Sequence, residues 1–269
     1  MLGISDLRIT FLGTGTSSGI PVVGCDCKTC CSKDPRDRRW RPSVLIQLGD
    51  GTSVLVDTSP DLRAQALKFD IRRIDAVLFT HSHADHVFGL DEIRRYNYLQ
   101  GEAIPCYGDR RTVTDIRQMF AYIFKPPEQT GSHLPQIVTF PLEGSFSLGH
   151  QTFVPVPVQH GQRKILGFRV GRFAYLTDCN GIPDASWGLL KDLDLLVIDA
   201  LRPRSHPTHF SVDEAVDAAR RIGAARTYFT HMCHDLSHAA TSTQLPDKME
   251  LAYDGLVLNV LDDSSNSKA

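Results

Sequence analysis

The sequence predicts an α/β domain in which short buried strands alternate with helices and present polar side chains from one edge. Three observations carry this. Apolar runs of strand length alternate with segments of helical spacing from residue 7 to residue 261. Residues 80–86 read Thr-His-Ser-His-Ala-Asp-His and directly follow the apolar run 74–79. In the second half, three further apolar runs each stop next to an Asp or His that stands where a strand would end.

Taken in order, residues 7–12 form a first strand, followed by the glycine-rich stretch 13–19. Residues 44–48 and 53–57 form a hairpin that turns at Gly49-Asp50-Gly51. Residues 61–69 read as a helix, and 76–80 as the strand that delivers the histidines. Helical spacing returns over 90–100 and 111–124, while 125–134, with two prolines and a glycine, reads as a loop or flap. A second, similar round follows, with strands at 152–158, 173–177 and 195–200. Residues 211–222 form a helix, with Ser211 as N-cap and Glu214 at the capping-box position. Strands at 226–230 and 256–261 close the sheets. The expected organisation is one domain, residues 1–262, in two similar halves, with 263–269 as a disordered tail. Glycines 13–19 neither end in G-K-[ST] nor fit G-x-G-x-x-G, so they are no nucleotide cradle. Close backbone approach to the metal site is expected of them instead.

At 269 residues and 42% hydrophobic, the chain has enough apolar mass for a substantial core. A net charge of −2 disfavours nucleic acid or an anionic membrane as partner. No apolar stretch has the length of a membrane-spanning helix and the N-terminus lacks a signal-peptide pattern, so a cytoplasmic location is the default expectation. Seven cysteines, four of them within residues 25–31, read as a metal site rather than a disulfide framework in a reducing compartment.

In the heptapeptide, His81 and His83 are directed by the strand end, while Asp85 and His86 begin the turn into the next helix. The four groups therefore diverge toward two ions rather than crowd one. Imidazoles with a carboxylate suit Zn, Mn or Fe, whereas Ca or Mg asks for oxygen ligands. A two-metal site needs more ligands than this, and His160, Asp178 and His231 supply them from downstream strand ends. Asp57 is placed as the acceptor that holds the histidine loop.

These residues, together with Leu12-Gly13-Thr14-Gly15-Thr16, Val56-Asp57-Thr58, Leu176-Thr177-Asp178 and Thr230-His231, make the chain similar to the metallo-β-lactamase superfamily of hydrolases over nearly its whole length. The resemblance implies an αββα sandwich of two mixed sheets flanked by helices. It implies that His81, His83 and His160 bind one metal, that Asp85, His86 and His231 bind the other, and that Asp178 bridges both. It also implies a water or hydroxide between the metals as nucleophile, with Asp85 counted among the catalytic residues.

Cys25, Cys27 and Cys30, at C-x-C-x-x-C spacing, are close enough to hold one structural zinc, with His234 as fourth ligand. Cys31 fits no ligand position, Cys233 stands between two ligands, and Cys106 and Cys179 read as packed small residues. The cysteine triplet with Thr230-His231-Met232-Cys233-His234 resembles the subgroup typified by the phosphoribosyl cyclic phosphodiesterase of the carbon–phosphorus lyase pathway. Phosphodiester cleavage also needs an acid for the leaving alkoxide. By its position before the helix at Ser211, His209 matches the acid of the phosphodiesterase branches, with His206 as the alternative. Arg202 and Arg204 are candidates for the substrate's charge; His133, His150 and His238 read as surface or loop residues.

The expectation is a phosphodiesterase with two divalent catalytic metals (Mn or Zn, with Fe a third option) and one structural Zn. It would hydrolyse small cyclic phosphate esters, a cyclic ribose phosphate or 2′,3′-cyclic nucleotides, by metal-hydroxide attack with His209 as acid. The rivals are a tRNA 3′-processing endonuclease and a lactonase or thioesterase of the same superfamily. The expected partner is a small phosphodiester, and a homodimer is compatible with the chain.

Overall fold

Among the residues described in the computed structural model, 6–125 and 134–261, the chain forms strands β1 (Leu7–Gly13), β2 (Ser43–Leu48), β3 (Ser53–Val56), β4 (Ala76–Leu78), β5 (Ile104–Gly108), β6 (Ile137–Pro141), β7 (Phe146–Leu148), β8 (Gln151–His160), β9 (Arg163–Val170), β10 (Phe173–Leu176), β11 (Leu195–Asp199), β12 (Arg226–Thr230), β13 (Met249–Leu251) and β14 (Val257–Val260). The helices are α1 (Leu62–Lys68), α2 (Ala84–Val87), α3 (Ile93–Gln100), α4 (Arg110–Met119), α5 (Asp184–Trp187), α6 (Val212–Ile222) and α7 (His238–Ser242). The strands make two seven-stranded sheets, ordered β14-β1-β2-β3-β4-β5-β6 and β13-β12-β11-β10-β9-β8-β7. Each is mixed: β3 to β6 run parallel in the first, and β10 to β13 in the second.

Strand alternation explains the layers. Ile46, Val54 and Val56 pack inward with Phe153, Phe168 and Tyr175 of the other sheet. Their neighbours Leu45 and Leu55 face the opposite way, against Leu62 of α1, Ile93 of α3 and Ile116 of α4. On the second sheet, Leu176, Leu196 and Ile198 pack outward onto Ala215 and Ala219 of α6. With both faces covered, the central strands read as unbroken apolar runs rather than alternating ones. The result is the expected αββα sandwich.

Helix α6 starts where expected, for the expected reason. The Ser211 N–H donates to Glu214 Oε2 at 2.8 Å and the Glu214 N–H to Ser211 Oγ at 3.4 Å, a capping box worth about 1 kcal/mol. The segment 90–100 begins with a tight turn over Leu90–Glu92 before α3, and 111–124 ends in another at Ala121–Phe124. Strands β5, β6, β7, β9 and β13 have no counterpart in the sequence reading. Prolines sit within β5 and at the end of β6, and Gly167 with flanking basic residues breaks the apolar pattern of β9. In β8, Pro155 and Pro157 lie beyond the end of β7, where a missing N–H costs no bond to that strand. The expected strand at 256–261 is β14, which returns to the first sheet beside β1. Most of the flap at 125–134, and the tail at 263–269, lie outside the described residues.

Candidate metal centre

Three residues at strand ends share an unusual backbone. Asp57 follows β3, Asp178 lies two residues past the end of β10, and His231 follows β12, with φ of 64°, 55° and 60°. Left-handed conformation at a non-glycine residue costs about 1–3 kcal/mol and marks functional sites. Here it turns each side chain toward the seam between the sheets.

There the side chains meet in two groups sharing Asp178. His81, His83, His160 and Asp178 offer ligand atoms within 4.8 Å of one another, as do Asp85, His86, Asp178 and His231. The two oxygens of Asp178 divide between the groups: Oδ2 is 3.8 Å from His81 Nε2, and Oδ1 is 3.2 Å from His86 Nε2 and 3.1 Å from His231 Nε2. Asp85 Oδ2 lies 3.4 Å from His86 Nε2 and 3.6 Å from His231 Nε2.

The inner nitrogens are aimed by contacts of the outer ones. Asp57 accepts from Thr80 N at 2.9 Å and Thr80 Oγ1 at 2.8 Å, and pairs with His86 Nδ1 at 2.7 Å. Thr80 Oγ1 is 3.0 Å from His81 Nδ1, and the Thr208 carbonyl is 3.1 Å from His160 Nδ1. Holding a histidine by its outer nitrogen fixes its tautomer and ring orientation. Asp57 thus takes the holding role expected of it.

The donor set fits divalent cations. Among the described residues, His81 Nε2, His86 Nε2, His231 Nε2 and Asp85 Oδ2 are fully buried with no hydrogen-bond partner, so these converging atoms are otherwise uncompensated. The electrostatics agree. Burial opposes ionisation of Asp178, yet His231 and His86 outweigh it and hold its carboxyl well below the ordinary range. Burial opposes a charged His86 too, but Asp178, Asp85 and Asp57 raise it well above the usual imidazole value. A cation supplies the positive charge that these carboxylates otherwise draw onto histidine.

His209 stands at the rim of this centre. Its ring stacks on His231, with centroids 4.8 Å apart and planes at 11°, and lies 5.0 Å from His160. Its Nδ1 pairs with Asp199 Oδ2 at 2.9 Å, and that oxygen also accepts from Cys179 N at 2.8 Å. Burial raises the Asp199 carboxyl well above the usual range and lowers the His209 imidazole. Asp199 is a buried partner of this centre to which the sequence reading gave no role. Its only signal is an acid at a strand end, as at Asp178. His206 is near as well, 5.1 Å from His209 between ring centroids, but its Nδ1 turns to Thr208.

Arg202 and Arg204 lie in this loop, with side chains engaged elsewhere. Arg202 donates to the carbonyls of Arg204 and Ser205 at 3.2 and 2.9 Å, and the exposed Arg204 pairs with Asp235 at 3.1 Å.

Beside the centre, Cys25, Cys27 and Cys30 place their sulfurs 3.2, 3.7 and 3.6 Å from His234 Nδ1. Three sulfurs around one imidazole nitrogen suit a tetrahedral thiophilic cation. The backbone N–H of Cys30 lowers the Cys27 thiol, while burial raises Cys30 to about 11. Cys31 is exposed and outside the group, Cys233 accepts from Asp235 N, and Cys106 and Cys179 are buried.

Two expectations need correction. His238 is buried, not a surface residue, because its N–H donates to the buried Asp37 at 2.7 Å. The Cβ positions of glycines 13 and 15 face backbone rather than a metal ligand: a side chain there would meet the Arg41 and Arg39 carbonyl oxygens. The loop still serves the site, since Met232 N donates to Thr14 O and Thr16 N to Met232 O. His150 is exposed, and His133 lies outside the described residues.

Fold and site together define a class, the metal-dependent hydrolase domain of two facing sheets with ligands gathered at their shared edge. The chain belongs to the β-lactamase superfamily, whose domain model matches residues 52–232. Within it the chain falls in the PhnP-like subgroup. A crystal structure described as a new diphosphatase from the PhnP family is 45% identical, covers 95% of this chain and 97% of its own, and superposes with a TM-score of 0.89. An octanoyltransferase of Porphyromonas gingivalis is 36% identical over 93% of this chain but only 51% of its own, so the chain spans about half that relative's length. The short form of human tRNase Z shares the fold, with a TM-score of 0.66 at 20% identity over 93% of this chain and 98% of its own.

Proposed function

We propose that this domain hydrolyses a phosphodiester bond in a small molecule, with a cyclic ribose phosphate or 2′,3′-cyclic nucleotide as the preferred class. It would use two divalent cations (Mn or Zn, with Fe a third option) and a separate structural zinc. The observation that carries the reading is the buried Asp199–His209 pair set against two ligand groups that share Asp178.

His81, His83, His160 and Asp178 would hold one cation, and Asp85, His86, Asp178 and His231 the other. When bound, such cations supply Lewis acidity, stabilising charge on phosphoryl oxygens and acidifying water. The chain's own residues do the rest. Asp199 holds His209 by Nδ1, which leaves Nε2 as the atom that delivers a proton to the departing alkoxide oxygen. Arg202, in the same loop, would meet the substrate's negative charge only by releasing the Arg204 and Ser205 carbonyls it now holds. Cys25, Cys27, Cys30 and His234 would hold the zinc that tethers the segment carrying His231.

The diphosphatase relative favours a second reading, cleavage of a phosphoanhydride. The two separate chemically. An alkoxide leaves poorly without a proton, whereas a phosphate leaving group needs far less help. Wild-type protein and His209→Ala would be assayed against cyclic nucleotides, linear diesters and diphosphates, with pre-tRNA and acyl esters as outgroups. Loss of about 10²–10⁴ in kcat on a cyclic ester is expected. Cyclic-ester turnover that survives the substitution removes His209 as acid. Turnover confined to diphosphates replaces the first reading with the second.

A further inference from the structure

One largely buried guanidinium at the seam belongs to no ligand group. Arg163 opens β9, two residues past Gly161 and directly opposite His160 in the β8–β9 register. Its side chain is only 15% exposed. Nη1 and Nη2 each donate to Ser82 Oγ at 3.3 Å, and Nη2 also reaches Thr112 Oγ1 at 3.4 Å. Ser82 stands between His81 and His83, and its hydroxyl donates onward to Asp115 Oδ2 at 2.5 Å. The nearest carboxylate to Arg163 is that same Asp115 oxygen, at 4.0 Å.

The arrangement bridges pieces of chain that no strand ladder joins. His81 and His83 hang from the first sheet, and His160 comes from the second. Across the seam, Leu166 N donates to Thr80 O at 3.1 Å, and the Arg163–Ser82–Asp115 chain lies beside it. Burying a guanidinium without a close carboxylate is costly. Arg163 Nε is left fully buried without a hydrogen-bond partner among the described residues. What the chain obtains is a rigid planar donor fork on the one side chain between two ligands.

We propose that Arg163 is a positioning residue, which holds the His81–Ser82–His83 loop against the His160 hairpin and so sets the geometry of the group formed by His81, His83, His160 and Asp178. The second group draws Asp85, His86 and His231 from α2 and the end of β12, which Arg163 does not touch. Its removal therefore acts on one group and spares the other. The inference rests on the two-cation reading above.

The test is metal affinity of the full chain, stripped and titrated with Zn²⁺ or Co²⁺ against a competing chelator. Contacts that orient a ligand are worth about 10–100-fold in metal affinity. Arg163→Met should weaken one equivalent at the His/Asp centre by about that factor and leave the other equivalents unchanged, while Arg163→Lys, which restores a single donor, should recover part of the loss. Asp115→Asn, at a position 32% exposed, loosens Ser82 without emptying the seam and should shift the same equivalent, by less. It decides the matter should Arg163→Met fail to fold. Wild-type affinity at every equivalent overturns the proposal, and so does equal weakening of all of them, which is what general destabilisation produces. Should wild type bind a single equivalent at this centre, the two-cation reading fails, whereas the role of Arg163 still stands or falls on whether that equivalent weakens.

Discussion

Arg39→Met should destabilise the domain by several kcal/mol, although Arg39 touches no metal ligand side chain. Arg39 is 1% exposed, and its guanidinium supports four contacts. It donates to Arg36 O at 3.2 Å, Cys233 O at 3.1 Å, Leu236 O at 2.7 Å and Asp37 Oδ1 at 3.2 Å. Cys233 and Leu236 flank His234, so this one side chain clamps the segment between the two metal sites. Methionine keeps most of the volume but leaves three carbonyls without their donor and Asp37 without its cation. Removing one partner of a buried pair costs about 3–5 kcal/mol. At about 2–4 °C per kcal/mol for a domain approaching this size, the melting temperature should fall by about 6–20 °C. Calorimetry on metal-loaded protein reads this directly. Combining Arg39→Met with Asp37→Asn should recover part of the loss, because no buried charge then stands alone. A fall below about 3 °C for the single variant would mean that the buried pair contributes nothing, and the clamp would have to be abandoned.

Two further predictions concern the same region. Burial, with Arg36 and Arg39 nearby, lowers His238 to about 4 from the usual 6.5. Since the folded value is depressed, the unfolded chain binds the extra proton first, and stability present above pH 6.5 is lost as pH falls toward 4. The full effect is about 3.5 kcal/mol, at about 1.4 kcal/mol per pKa unit. Urea unfolding at pH 7 and pH 4.5 should therefore show a steeper loss in wild type than in His238→Gln; parallel losses would remove His238 as the cause. Cys27→Ser should lower bound zinc by one equivalent after dialysis and reduce the melting temperature, since a structural zinc site contributes folding energy. An unchanged zinc-to-protein ratio would show that the cysteine group is not a metal site.

Some of this molecule is legible residue by residue, and some only through long-range neighbours. His81, His83, Asp85 and His86 can be read because four ligands stand within six residues behind a strand. Asp178 and His231 can be read because an apolar run points at each. Asp199 has the same local pattern, yet only the fold shows it paired with His209. Arg39, Arg163 and His238 are polar residues in unremarkable local sequence, and their contacts are with a carbonyl, a hydroxyl and a carboxylate as many as 201 positions away. Strands β5, β6 and β9 went unread because proline, glycine and basic residues interrupt a pattern that pairing with neighbours then overrides.

The backbone adds a rule that connects the legible and hidden parts. Threonine precedes the ligand at Thr80-His81, Thr177-Asp178 and Thr230-His231, and all three threonines are completely buried. Thr80 Oγ1 donates to Asp57 at 2.8 Å, and Thr177 Oγ1 to Asp178 Oδ1 at 2.9 Å. A β-branched residue holds the chain extended up to the last position, and at Thr80 and Thr177 the hydroxyl also restrains a neighbouring carboxylate. At Asp178 and His231 the next residue then turns left-handed. Such a turn costs about 1–3 kcal/mol and persists only where the surroundings over-determine it. Here the surroundings are the ligand groups themselves, in which His81 Nε2, His86 Nε2, His231 Nε2 and Asp85 Oδ2 lack hydrogen-bond partners among the described residues. The strain at the strand ends and the uncompensated atoms at the centre are thus two sides of one arrangement. A bound cation offsets both, so metal binding and the stability of the sheet edges should be coupled.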